Sequence, residues 1–197
     1  RPPRELADLL GGKGANLAEM ASVLRLPVPP GFTIVTGACR RYVEGGWPPG
    51  LDAELVRHVA RLERRMGRTF GAAADPLLVS VRSGARFSMP GMMDTILNLG
   101  LNDRTVRAVA RSTGDEAFAY RSYARLISMY GRVVMGVEAA RFDDALAAAK
   151  VVEAVDDDSG LSAAGWRSLC RDHKAAIRAA TRRPFPQDPL VQLRGAI

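Results

Sequence analysis

Leu77-Leu78-Val79-Ser80-Val81-Arg82-Ser83-Gly84-Ala85-Arg86 is the stretch on which the fold turns. Its apolar, β-branched run reads as a short strand, and the strand delivers Arg82 at its end before the chain breaks into small residues. Alternation puts Arg82 and Ser80 on one face. A guanidinium held on a rigid element is able to grip phosphate oxygens through two parallel hydrogen bonds, while Ser83 and Gly84 let backbone approach a ligand closely. The bland alternative is a strand-end arginine consumed by a structural salt bridge.

Towards the N-terminus, Phe32-Thr33-Ile34-Val35-Thr36 reads as a second short strand. Between the two, Leu51, Leu55, Val59, Leu62 and Met66 recur at helical spacing, with Asp52 as N-cap and Leu51 packing on Val56 as a hydrophobic staple. Gly11-Gly12-Lys13-Gly14-Ala15-Asn16-Leu17 opens an earlier helix, striped by Leu17, Met20, Ala21 and Leu24 and stopped by Pro27, Pro29 and Pro30. Lys13 falls in its first turn, where amide groups and the helix dipole favour an anion. The motif is no Walker A loop, because its glycine spacing differs and Lys13 precedes Gly14 rather than Ser or Thr. Alone, it reads equally as a glycine-rich helix start with a solvated lysine.

Towards the C-terminus, Phe87-Ser88-Met89-Pro90-Gly91-Met92-Met93-Asp94-Thr95 reads either as a ligand-covering loop or as a buried connection with methionine filling gaps. From Asn102 onward the texture is all-α. Asn102 caps a first helix, Tyr123, Ile127, Tyr130 and Val134 stripe a second, Phe142, Leu146 and Ala149 a third, and Trp166, Cys170, His173 and Ile177 a fourth that ends before Pro184. The expected organisation is therefore an α/β part over 1–101, a helical subdomain over 102–184, and a final segment, 185–197, that starts a return into the first part and is truncated.

The composition is that of a globular chain: 197 residues, 47% hydrophobic and 25% charged, with a formal net charge of +7 that suits an anionic partner. No apolar run reaches membrane-spanning length and no signal peptide opens the chain, so a cytoplasmic location without membrane contact is expected. Cys39 and Cys170 lack metal-knuckle or disulfide spacing, and both are expected reduced and structural. His58 and His173 have no orienting partner in the sequence and are expected to be structural or at the surface. Asp156-Asp157-Asp158 lacks complementary ligand spacing and reads as a solvated turn rather than a metal site.

Together, G-G-K-G-A-N-L-A-E-M at 11–20, P-V-P-P-G-F-T-I at 27–34 and V-S-V-R-S-G-A-R-F-S-M-P-G-M-M-D-T at 79–95 closely resemble the pyruvate phosphate dikinases. Pyruvate,water and glucan,water dikinases share versions of the first two segments and of the V-R-S core, whereas the M-P-G-M-M-D-T loop looks like the phosphate-dependent enzyme. The resemblance implies the fold class α+β: a partial ATP-grasp nucleotide-binding domain with a small mixed sheet and an inserted helical subdomain.

By matching position it implies ATP phosphate-binding roles for Lys13 and Arg82, with Met89, Gly91, Met92, Asp94 and Thr95 in a loop over the phosphates. In the family ATP phosphorylates a histidine, phosphate takes up the released group, and pyruvate becomes phosphoenolpyruvate. The resemblance also places outside this chain the phosphohistidine domain, the second half of the ATP-grasp domain with its Mg2+ ligands and, where the natural protein has one, the pyruvate-binding barrel. No catalytic or metal residue is therefore expected here, the fragment is expected to be inactive alone, and the full-length enzyme is expected to be a homodimer. The competing readings are a pyruvate,water dikinase-type ATP-binding domain, a basic nucleic-acid-binding module and a purely regulatory docking domain. The nucleic-acid reading lacks exposed aromatics interleaved with the basic residues, so no nucleic-acid partner is expected.

Overall fold

The computed structural model describes residues 2–83 and 95–197. Two compact units emerge: one takes Arg1–Gly67 with Arg82–Asp94, the other Arg68–Val81 with Thr95–Ile197. The described residues are mostly helical with one two-stranded sheet, an α+β composition.

In the first unit a single 3-10 turn, Pro3–Leu6, leads into α1, Ala7–Ser22, followed by α2, Thr36–Gly45, and α3, Leu51–Met66. Gly11 sits at φ 71°, ψ 158°, so α1 is two helical pieces meeting at a kink. Such a φ favours glycine, because any other side chain there meets its own carbonyl. The expected strand at 32–36 does not form. Among the described residues Phe32 to Val35 has no ladder partner, and Thr36 instead opens α2, where its hydroxyl donates to the Asp8 carbonyl at 2.7 Å.

Helix α3 forms where its apolar stripe predicts, burying Leu55 and Val59 one turn apart. Asp52 is not its N-cap, however. The Leu51 amide closes a turn on the Pro48 carbonyl at 3.2 Å, and this starts the helix earlier, with Gly50 in the left-handed region at the cap position. Asp52 and Glu54 then lie in the first turn and Arg64 and Arg65 in the last, each opposing the local end of the helix dipole. Val56 is 53% exposed, so the expected staple with Leu51 is absent.

The second unit holds β1, Val79–Arg82, through Val81, then β2, Thr95–Leu99, α4, Thr105–Thr113, α5, Glu116–Val133, α6, Ala139–Glu153, α7, Ala163–Thr181, and α8, Pro189–Ala196. Strands β1 and β2 pair in the sheet, and Leu77 bridges to Phe70 just before β1. Helix α5 is the centre of the unit and packs against α4, α7 and β2. It buries Tyr123, Ala124, Leu126, Ile127 and Tyr130, which includes three of the four expected stripe positions. Gly131 on α5 lets α6 come close: a Cβ there would lie 2.5 Å from the Phe142 ring. Trp166, Cys170, His173 and Ile177 are all buried on α7, as their spacing requires.

Asn102 caps the first helix of this unit as expected. Its side-chain oxygen accepts from the amides of Arg104 at 2.9 Å and Thr105 at 2.8 Å, while the Thr105 hydroxyl accepts from the Asn102 amide at 2.8 Å. The reciprocal arrangement satisfies donors that a helix start leaves without partners. The chain's last helix is fastened by a fully buried amide. Gln192 accepts from the Gly100 amide at 2.9 Å and donates to the carbonyls of Leu101 at 2.9 Å and Pro186 at 2.8 Å.

Candidate functional site

Lys13 owes its position to Gly11. The kink restarts the helix beside Gly12, placing Lys13 in the first turn of the second piece, as the sequence predicts. Gly14 then faces the extended 32–35 segment, where a Cβ would lie 2.9 Å from Cγ2 of Thr33 and 3.2 Å from its hydroxyl. Only glycine leaves room for that approach. The Lys13 ammonium donates to the Ser83 carbonyl at 3.0 Å, across 70 positions of sequence.

Ser83 immediately follows Arg82, the last residue of β1. Arg82 is exposed, and its guanidinium has no hydrogen-bond or ion-pair partner among the described residues. The salt-bridge alternative is thus not what the described residues show. Lys13, Arg82 and Ser83 belong to the first unit. The helix start supplies one cation and the strand end another, and the Lys13 hydrogen bond joins these two parts of the chain. A pair of cations on rigid elements has the chemistry to neutralise and orient phosphate oxygens, each charge-assisted bond being about twice as strong as a neutral one. Of the expected covering loop, Thr95 starts β2 in the second unit, while Met89, Gly91, Met92 and Asp94 lie outside the described residues.

The histidines are employed in packing. His58 stacks on Phe32 with ring centroids 5.3 Å apart. His173 is buried edge-on against Phe142 at 5.1 Å, with Nδ1 3.3 Å from the Ala124 carbonyl. Burial holds its imidazole below the usual histidine range, although hydrogen bonding to the backbone of Ala124 and Phe142 and the charges of Asp172 and Asp143 act the other way. Cys170 is likewise a core residue. Burial pushes its thiol up to about 12, against the opposing charge of Lys174, and it donates to the Tyr120 carbonyl at 3.4 Å. Cys39 is exposed rather than structural, and both cysteines are free.

Asp156 and Asp157 lie in the bend after α6, and Asp158 opens a 3-10 turn before α7. Among the described residues no group of three His, Cys, Asp or Glu side chains has the arrangement to hold a metal. No helix among them is long and apolar enough to cross a membrane.

Spacing did not disclose the Lys13–Ser83 contact, because nothing local links positions 70 residues apart.

The described residues thus form an α+β fold in which a cationic helix start is tied to an arginine-bearing strand end. The chain matches the family model described as the pyruvate phosphate dikinase AMP/ATP-binding domain over residues 7–52 and 47–166, and it belongs to that family. It is 54% identical to pyruvate, phosphate dikinase of Rhizobium meliloti (strain 1021) across 96% of this chain and 21% of that protein. Against pyruvate, phosphate dikinase 2 of Zea mays it is 47% identical across 98% of this chain and 22% of the relative. Against the chloroplastic pyruvate, phosphate dikinase 1 of Oryza sativa subsp. japonica it is 48% identical across 98% and 20%. The chain thus spans about a fifth of the length of these relatives.

Proposed function

We propose that this chain holds the phosphates of ATP for a pyruvate phosphate dikinase, as the opening part of an ATP-grasp domain. The observation that carries the proposal is the Lys13 ammonium bound to Ser83, the residue after an Arg82 whose guanidinium is unspent among the described residues. Lys13 is oriented by that bond, and among the described residues no acceptor engages Arg82. Phosphoryl transfer proceeds mainly by positioning and by stabilising charge that builds up on phosphate oxygens. These two residues supply that work, and neither acts as nucleophile or general base.

The reaction assigned to the longer protein converts ATP, phosphate and pyruvate to AMP, pyrophosphate and phosphoenolpyruvate through a phosphohistidine. Its acceptor histidine belongs to a further domain, since His173 is enclosed in the helical core and His58 stacks on Phe32. The Mg2+ ligands are assigned by this reading to the remainder of the protein. A homodimer in the cytoplasm completes this reading for the longer protein. The test is titration of the 197-residue chain with ATP: weak saturable binding is expected, reduced at least tenfold by Lys13→Ala or Arg82→Ala. Unchanged affinity in both variants would remove the assignment.

A further inference from the structure

Helix α5 carries a second pair of unspent cations. Arg121 and Arg125 stand one turn apart, so both lie on one helix face, where like charges repel. Both are exposed, and neither guanidinium has a hydrogen-bond or ion-pair partner among the described residues. They line a cleft of about 760 Å³ with Asn98, Ser122, Lys150 and the loop 156–159.

Formal charge in this cleft cancels, but hydrogen-bonding capacity does not. Asp157 already accepts from the Ser159 amide at 2.7 Å and from the Ser159 hydroxyl, and these bonds hold its carboxyl below the usual range. Asp158 pairs with Lys150 at 3.4 Å. The loop therefore directs much of its acceptor capacity at itself and at the lysine. Each guanidinium retains five N–H donors. Ser122 lies between the two arginines on α5, and Asn98, the residue before the last of β2, is in the left-handed conformation at φ 61°. The two guanidinium groups have no acceptor among the described residues, so the guest that suits them offers oxygen acceptors.

We propose that this cleft is an oxyanion site for a phosphate group, free or carried as a monoester on a small molecule. Its volume lies in the range of small-ligand sites and exceeds what bare phosphate fills. The carboxylates on its lining disfavour highly charged guests such as a triphosphate. The site lies wholly in the second unit, which contains neither Lys13 nor Arg82, and it does not depend on the nucleotide assignment.

The experiment is titration of the 197-residue chain with inorganic phosphate and, separately, with glycerol phosphate, followed by calorimetry and by arginine side-chain NMR shifts. Saturable millimolar binding of one or both is expected, and tighter binding of the ester identifies a monoester site. Arg121→Ala with Arg125→Ala should weaken it at least tenfold, and Asp156→Asn should strengthen it severalfold by removing a repulsive charge that has no partner among the described residues. All three side chains are exposed, so the core is untouched. Lys13→Ala with Arg82→Ala should leave the phosphate-induced shifts of the Arg121 and Arg125 side chains unchanged. Absence of saturation, full affinity in the double arginine variant, weaker binding by Asp156→Asn, or loss of those shifts in the Lys13/Arg82 variant would each overturn the proposal.

Discussion

The Lys13 ammonium donates to the Ser83 carbonyl at 3.0 Å, fixing the first turn of a helix to the residue that follows Arg82. On the proposed function, removing the ammonium costs both a phosphate contact and this tie. Lys13→Met, which keeps the stem but not the charge, should therefore weaken ATP binding by about 1.5–3 kcal/mol, or roughly 10- to 150-fold. Titration calorimetry on the chain checks this, and an affinity within twofold of the unsubstituted chain would contradict it.

Gly14 gives a steric test. A methyl group there would lie 2.9 Å from Cγ2 of Thr33, so Gly14→Ala should destabilise the first unit by about 1–3 kcal/mol. Thr33→Ser removes that methyl and should recover part of the loss, leaving the 3.2 Å hydroxyl contact. A double-mutant cycle by urea denaturation reads the coupling. Simple additivity of the two changes would show that the approach is not tight.

Gln192 is fully buried with three backbone partners at 2.8–2.9 Å. Gln192→Leu keeps most of the volume but strands the Gly100 amide and two carbonyls. The expected loss is about 2–4 kcal/mol, since each buried polar group without a partner costs about 1–3 kcal/mol. Hydrogen exchange should show the Gly100 amide losing protection first. Unaltered protection would contradict the role given to this side chain.

His173 makes stability depend on pH. Burial lowers its folded-state pKa, so below the unfolded value of about 6.5 the unfolded chain binds more protons and folding weakens. Stability from this group is complete above that value and declines as pH falls through the window beneath it. Urea midpoints measured from pH 8 to pH 5 should fall more steeply for the unsubstituted chain than for His173→Gln. Equal slopes would assign the acid sensitivity to other groups.

Helix positions in the second unit were legible because burial follows the helical period: Trp166, Cys170, His173 and Ile177 are all in the core. The Asn102 cap was legible because capping is local, with its side chain reaching only two and three residues ahead. The segment 32–36 misled because strand composition states a preference, whereas a strand also requires a partner, and Thr36 joins a helix instead. Asp52 misled for a related reason, since a turn through Pro48 moved the helix start upstream. The helix-start setting of Lys13 and the strand-end setting of Arg82 were legible from local sequence. Their link through Ser83, and the cleft beside Arg121 and Arg125, are products of tertiary folding that no short-range spacing records.

Whether Arg82 and Lys13 hold ATP during phosphoryl transfer is decided in the full-length protein. The measurement is the single-turnover rate of phosphohistidine formation from ATP labelled in its β-phosphate. Arg82→Ala should lower that rate at least 100-fold, on the order of 3 kcal/mol, with the folded state intact by circular dichroism. Formation of labelled phosphohistidine at a near-normal rate in the folded Arg82→Ala protein would contradict the account.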